Sequence, residues 1–321
     1  MQKPIVVVGS INLDLVVQAD RIPQVGETII GNRFNSFCGG KGANQAVAVA
    51  KLGYPVLMIG NIGDDAFGTQ LLNGLEDAGV NTAYLNTVEE PSGVALITTG
   101  AGGENNIVVV PGANGDLTPK LLERRASVLK NAGFLLTQLE VPIETVEYLA
   151  AFADRHNLPL MLDPAPAREL STDLLPRVTW ITPNETEMQE LLGTHLENGD
   201  QGSYTAADRL LACGVKNVVL KLGSRGCVIA ERNLPKERVL AFSVNAVDTT
   251  AAGDAFNAGF AVGLMRGSTV KRSAVFASAV AAISVTRHGA QPSMPTSAEV
   301  KAFLRRRLGA EASLIAVETT N

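Results

Sequence analysis

The apolar and polar positions of this chain change period several times, and each change marks an element. Ile5 to Val8 is an unbroken β-branched run, the pattern of a strand buried on both faces of a parallel sheet. From Leu15 to Phe37 it gives way to short runs, Leu15-Val16-Val17 and Thr28-Ile29-Ile30, separated by Pro23, Gly26 and Gly31. No helical period is present there, so that stretch reads as β structure with turns. Ala43 to Leu52 then has the period of a helix that stops at Gly53.

Strand and helix patterns alternate through the rest. Strands are expected at Val56 to Ile59, Phe134 to Leu139, Pro159 to Leu162, Thr179 to Thr182 and Asn217 to Lys221. Helices are expected at Phe67 to Ala78, Pro119 to Asn131, Ile143 to His156, from Pro183 onward, and at Ala274 to Arg287. Such alternation predicts a doubly wound, mostly parallel α/β sheet of the Rossmann type. A second β patch runs from Ser92 to Pro111, where Val94 to Ile97 and Ile107 to Val110 flank the hairpin-like turn Gly100 to Asn105. The two β patches combine most simply into one small inserted sheet, a lid that would exclude water. The expected organisation is a main domain of residues 1–12, 38–91 and 112–321, with a β lid of residues 13–37 and 92–111.

Composition narrows the class. With 321 residues, 46% of them hydrophobic, the chain is long enough for a large core and too apolar for disorder. A net charge of −5 without a long basic cluster speaks against a nucleic-acid or anionic-membrane surface. Arg305-Arg306-Arg307 reads as a solvated helix end. Cys38, Cys213 and Cys227 have neither zinc-ligand nor disulfide-framework spacing, which fits a reducing cytoplasm. His156, His195 and His288 share no ligand spacing and read as surface or packing residues. The N-terminal apolar run is too short for a signal peptide, and Ala274 to Val285 is too short to span a membrane.

Candidate chemistry concentrates in Val247 to Phe256, where a strand-like run (Arg238 to Val247) meets a long apolar helix. Ala251, Ala252 and Gly253 carry almost no side chain, so their N–H groups can converge on an anion at the positive helix end. Asp254 beside them could receive the proton of an attacking hydroxyl, a pairing suited to phosphoryl transfer. An ordinary N-capped helix is the alternative reading.

Several other stretches invite the same two readings. Asn12 and Asp14 follow the first strand, and Glu140 and Asp163 follow later ones, at the carboxyl ends where open sheets gather ligands; turns that merely use polar residues would look alike. Gly39-Gly40-Lys41-Gly42-Ala43-Asn44 allows close backbone approach, with donors on Lys41 and Asn44, and it lacks the Ser or Thr of a Walker A loop. Asn184-Glu185-Thr186-Glu187 suits either a helix start or a phosphate or Mg²⁺ outer-shell site. Leu222-Gly223-Ser224-Arg225-Gly226 fits a plain hairpin as well as a nucleotide contact.

Gly39-Gly40-Lys41-Gly42-Ala43-Asn44-Gln45-Ala46 and Asp248-Thr-Thr-Ala-Ala-Gly-Asp254-Ala-Phe256, in this order and separation, resemble the two signatures of the ribokinase-like sugar kinases, the phosphofructokinase-B family. The resemblance runs from Val6 to about Leu304 and includes Gly9-Ser-Ile-Asn-Leu-Asp14, Pro164-Ala-Pro-Ala-Arg168 and Pro183-Asn-Glu-Thr-Glu187. It implies an ATP-dependent kinase for the primary hydroxyl of a small sugar, D-ribose before deoxyribose or a ketose, and a homodimer formed through the β lid. A non-catalytic sugar- or nucleotide-binding regulator is the rival of another class. By the same resemblance Asn12, Asp14, Gly40, Lys41, Asn44 and Glu140 would hold the sugar, with Asp254 as base and the Ala251 to Asp254 backbone as anion hole. Asn184, Lys221, Gly223, Ser224, Gly226, Gly253 and Ser278 would face ATP, and Glu187 would organise Mg²⁺ through water. Asp248, Thr250, Ser284, Arg287, Gly289 and Ser293 match a K⁺ site. Two positions depart from the pattern: Lys221 replaces a small hydroxyl residue, and Ser278 stands where some members have histidine near adenine.

Overall fold

The computed structural model describes residues 2–197 and 199–315. The first apolar run forms β1 (Ile5–Val8), after which the chain leaves as β2 (Asn12–Gln18) and returns as β3 (Arg33–Gly39) into helix α1 (Lys41–Lys51). Next come β4 (Val56–Gly63), α2 (Ala66–Asp77) and β5 (Asn81–Val88), then a second excursion as β6 (Gly93–Thr99) and β7 (Asn105–Val110). Short helices α3 (Pro119–Arg124) and α4 (Ala126–Lys130) lead to β8 (Phe134–Gln138), α5 (Ile143–Arg155), β9 (Leu160–Asp163) and β10 (Trp180–Ile181). Helices α6 (Glu185–Leu192) and α7 (Gly199–Ala212) precede the hairpin of β11 (Asn217–Lys221) and β12 (Cys227–Glu231), followed by β13 (Glu237–Val239). Helices α8 (Ala252–Met265), α9 (Val270–Ser284), α10 (Ser297–Leu308) and α11 (Ala312–Ile315) complete the described chain.

Nine strands form one sheet in the order β13-β12-β11-β10-β9-β8-β1-β4-β5, parallel except where β12 pairs with β11 and β13. Both its faces are covered, which explains the unbroken β1 run: Ile5 and Val7 enter a core shared with α1, α8 and α9, while Val6 and Val8 enter the core packed by α5 and α7. Phe260 anchors the first core, edge-on to Trp180 with ring centroids 5.0 Å apart. The narrow face of α8 allows close helix packing, for a Cβ on Gly263 would lie 2.8 Å from the Ser273 Cα of α9. The strand order reverses around β1, with β4 on one side and β8 on the other, and such a switch point opens a crevice at the strand ends. The two excursions form a separate four-stranded sheet, ordered β3-β2-β6-β7, that rises from the end of β1.

Several expected elements differ in form. Thr28-Ile29-Ile30 lies outside any strand and Ile30 is exposed; β-branched residues there find no partner strand, and pairing starts at Arg33. The expected helix from Pro119 to Asn131 breaks at Arg125, whose φ of −100° and ψ of 10° separate α3 from α4. From Arg238 only the first residues pair with β12; beyond Val239 the chain leaves the sheet and runs along a cavity. Strand β5 and helices α7 and α10 add to the expected set.

Candidate active site

The glycine-rich loop brings α1 against the end of β1. Gly40 has φ of 85°, and a Cβ there would lie 2.7 Å from the Asn12 amide nitrogen. This close approach lets Glu140, after β8, accept from the Ser10 hydroxyl at 2.5 Å and from the Lys41 amide at 3.1 Å through one oxygen, Oε2. Asn12 is fixed by Asn114, whose Nδ2 donates to Asn12 Oδ1 at 2.7 Å and whose Oδ1 accepts from the Ile11 amide at 2.8 Å. Asp14 sits close by. Burial, then the charges of Glu140 and Asp254, push its pKa up to about 7 against the pull of Lys41.

Asp254, in the first turn of α8, is buried among amides from α1. Its Oδ2 accepts from Asn44 Nδ2 and its Oδ1 from Gln45 Nε2, both at 3.0 Å. Gln45 also donates to Asp163 Oδ2 at 3.1 Å, and Asp163 in turn accepts from Lys221 Nζ at 3.0 Å through Oδ1. Burial raises the Asp254 pKa to about 6, with Lys41, Asn44 and Gln45 opposing and Asp163 adding to the shift. A carboxylate so placed is ionised at neutral pH yet more basic than an exposed one, whose pKa is about 3.9. Burial works against the Lys41 ammonium, but Asp254, Asp163, Glu140 and Glu187 outweigh it and hold its pKa above the ordinary lysine value.

A cavity of about 600 Å³ opens beside Asp254, lined by Lys41, Asn184, Glu187, Lys221, Gly223, Ser224, Gly226, Ala251 to Gly253 and Ser278 among others. Ala251 adopts the left-handed conformation, φ 58° and ψ 16°, as the residue before α8. That conformation is strained for a side-chain-bearing residue, and here it turns the chain into the helix at the cavity wall. The Ala252 N–H is given to the Thr249 carbonyl at 3.2 Å, whereas those of Ala251, Gly253 and Asp254 have no main-chain acceptor among the described residues. Within the expected span of Ala251 to Asp254, three N–H groups are thus left without a main-chain partner and only that of Ala252 is taken.

Glu187 and Asn184 form a reciprocal cap on α6: the Asn184 amide donates to Glu187 Oε2 at 2.8 Å, and Asn184 Oδ1 accepts from the Glu187 amide at 2.8 Å. Burial raises the Glu187 pKa, Lys221 opposes this and Asp163 adds to it. Each carboxylate oxygen of Glu187 and Asp163 already accepts one hydrogen bond, so only their second lone pairs are left for a water-mediated divalent cation, and the described residues contain no group of three or more His, Cys, Asp or Glu arranged to ligate a metal directly.

On the far side of the α8 turn, Asp248 Oδ1 accepts from the Thr250 amide and Oδ2 from the Gly289 amide, both at 2.9 Å. These bonds outweigh partial burial and hold the Asp248 pKa below its ordinary value. The hydroxyls of Ser284 and Ser293 turn back to the carbonyls of Ala281 and Ala290, and the Arg287 guanidinium reaches Glu299 at 2.6 Å. Thus the loops carrying the six residues meet, and their main-chain oxygens with Asp248 are the groups suited to a monovalent cation.

Sequence reasoning assigned no role to Ser10, Gln45 or Asn114. Two consecutive amides, Asn44-Gln45, in an otherwise apolar helix were a readable signal for Gln45. Asn114 gave none, because its partners lie about a hundred residues away in sequence.

A buried carboxylate beside helix-terminal N–H groups, at the switch point of a doubly wound sheet, defines a site of the phosphoryl-transfer class. The chain belongs to the pfkB family of carbohydrate kinases, whose family pattern matches residues 2–297. It is 39% identical to a ribokinase of Haemophilus influenzae, over 95% of this chain and 99% of that protein. A deoxyribokinase of Salmonella typhi is also 39% identical, over 94% of this chain and 98% of that one. The structure of Arabidopsis thaliana ribokinase complexed with ribose and ATP superposes with a TM-score of 0.89 at 35% identity, covering 94% of this chain and 99% of that chain.

Proposed function

We propose that the protein transfers the terminal phosphoryl group of ATP to the primary hydroxyl of a small sugar, D-ribose first, giving D-ribose 5-phosphate and ADP. The observation that carries this reading is the placement of the Asp254 carboxylate, buried and hydrogen-bonded to Asn44 and Gln45, at the wall of a cavity that also receives the Gly253 turn. Asn12, Asp14, Gly40, Lys41, Asn44 and Glu140 bind and orient the sugar. Asp254 accepts the proton of its hydroxyl as the oxygen bonds to phosphorus and the bond to ADP breaks. The N–H groups of Ala251, Gly253 and Asp254, with Ala252 completing the turn, meet the charge on the phosphoryl oxygens.

Asn184, Lys221, Gly223, Ser224, Gly226 and Ser278 bind ATP. Glu187 holds water toward Mg²⁺, which when bound neutralises phosphate charge, and the loops at Asp248, Thr250, Ser284, Arg287, Gly289 and Ser293 hold K⁺. The four-stranded sheet, residues 13–37 and 92–111, acts as the lid against solvent and as the homodimer contact; exposed Phe34, Leu96 and Ile107 to Val110 on it support that role. Three free cysteines, and no described helix long and apolar enough to cross a membrane, support a cytoplasmic enzyme.

Deoxyribose is the second substrate to weigh, because a deoxyribokinase shares as much identity as a ribokinase. A silent regulator has no use for the Asp254 pairing. ATP consumption in K⁺ buffer against ribose, 2-deoxyribose, fructose, tagatose and nucleosides, with Asp254→Asn as blank, tests all three. Preference for ribose is expected; turnover of another sugar changes the substrate and keeps the mechanism, and binding without turnover on the whole panel overturns the kinase reading.

A further inference from the structure

Lys221 is the departure that the site does not explain by itself. It ends β11 at the cavity, with its side chain 13% exposed, and its Nζ donates to Asp163 Oδ1 at 3.0 Å. A Cβ built on Gly253 would lie 3.3 Å from that same Nζ, so the ammonium stands against the glycine of the anion turn. A β-bridge between Asn184 and Lys221 ties its backbone to the first turn of the Glu187 helix. Lys221 therefore occupies the corner between the anion turn and the proposed Mg²⁺ side.

The electrostatics of that corner ask for a cation. Asp163 is 3% exposed and shares Gln45 with Asp254, while Asp14, Glu140 and Glu187 add further carboxylates around the transfer path. A triphosphate entering this cavity meets Asp163 on its nucleotide side, where Lys221 is its ion-pair partner. Lys41 is already surrounded by Asp254, Asp163, Glu140 and Glu187 on the other side. One of the three N–H bonds of Lys221 is given to Asp163, and two remain for oxygens in the cavity. A small hydroxyl residue could supply neither the charge nor the reach.

We infer that Lys221 is a second phosphate clamp, whose ammonium contacts the terminal phosphates of ATP at the Gly253 turn while Asp163 serves as the residue that positions it. This inference rests on the kinase reading and extends it, because it makes nucleotide affinity depend on a side chain that supplies cationic charge directly. A purely structural lysine, present only to neutralise Asp163, would affect folding and every nucleotide alike.

The test is calorimetric titration of the wild-type protein, Lys221→Met and Lys221→Thr with Mg·ATP and with adenosine, in the absence of sugar. Thermal melting accompanies each titration. The clamp predicts that both substitutions weaken ATP binding about tenfold or more and change adenosine affinity less than about twofold, since only the phosphates meet the ammonium. Equal losses for the two ligands, or an unchanged ratio of their affinities in whichever variant folds, overturn the inference. If neither variant folds, the lysine is the structural partner of Asp163 and the inference falls. Failure of the wild type to bind ATP at all would instead strike the kinase reading, so the two failures are separable.

Discussion

Asp254→Asn separates chemistry from binding because the surrounding amides can absorb the change. The substitution keeps the volume and turns one buried acceptor into a donor, opposite Gln45 Nε2 on one side and Asn44 Nδ2 on the other. Gln45 is fixed: its Oε1 accepts from Gln138 Nε2 at 2.7 Å and its Nε2 also serves Asp163 at 3.1 Å. Asn44 is free to turn, since its Oδ1 is buried without a protein partner. The new amide will therefore point its NH₂ group at Asn44, whose own amide flips to accept it. The flip moves the Asn44 NH₂ to the buried position where Oδ1 now lacks a partner, so one unpartnered polar group replaces another and the loss stays at about 1 kcal/mol, the low end of the roughly 1–3 kcal/mol for a newly stranded group. Lys41 keeps Asp163, Glu140 and Glu187 as neighbours. Sugar and ATP affinity should thus stay within about threefold, while kcat falls by about a hundredfold to ten-thousandfold, ~3 to 5.5 kcal/mol in the barrier. Steady-state ATP consumption with calorimetric sugar binding measures both. Retention of more than about a tenth of kcat would remove Asp254 from the base role.

Other outcomes follow from the same geometry. With its folded pKa raised to about 7, Asp14 stabilises the fold most at acid pH, and that contribution is lost as pH rises from about 4 through 7. Asp14→Asn should therefore melt higher than wild type at pH 8 by on the order of 1–3 kcal/mol, with the gap closing toward pH 4; a gap independent of pH refutes the shift. The Asp254 pKa of about 6 places the acid limb of kcat/KM near pH 6, activity falling below it as the base takes a proton, and a flat profile down to pH 5 counts against it. Exchange of K⁺ for Na⁺ should lower the rate, and Asp248→Ala should abolish the difference because Asp248 holds the Thr250 and Gly289 amides together; an equal rate in both salts argues against a bound cation. At Ala251, φ 58°, glycine should be tolerated within about 1 kcal/mol, whereas valine should cost about 2 kcal/mol and most of the turnover; equal melting temperatures and rates for the two variants would show that the turn carries no strain.

The chain by itself determined the main α/β sheet, because buried strands leave unbroken runs such as Ile5 to Val8 and their helices leave a different period. It also marked the glycine loop and the Ala251 to Asp254 turn, since close backbone approach selects small residues whatever lies opposite. Only the tertiary structure decided that Thr28 to Ile30 stays unpaired, for strand propensity is realised only against a partner. Tertiary structure also joined Asn114 to Asn12, Gln45 to both Asp254 and Asp163, and Lys221 to Asp163. Those bonds span 58 to 209 residues of sequence and depend on the sheet bringing strand ends to one switch point, so no local pattern could record them. The raised Asp254 pKa is of the same kind: a carboxylate carries its ordinary value in the sequence, and burial beneath α1 changes it.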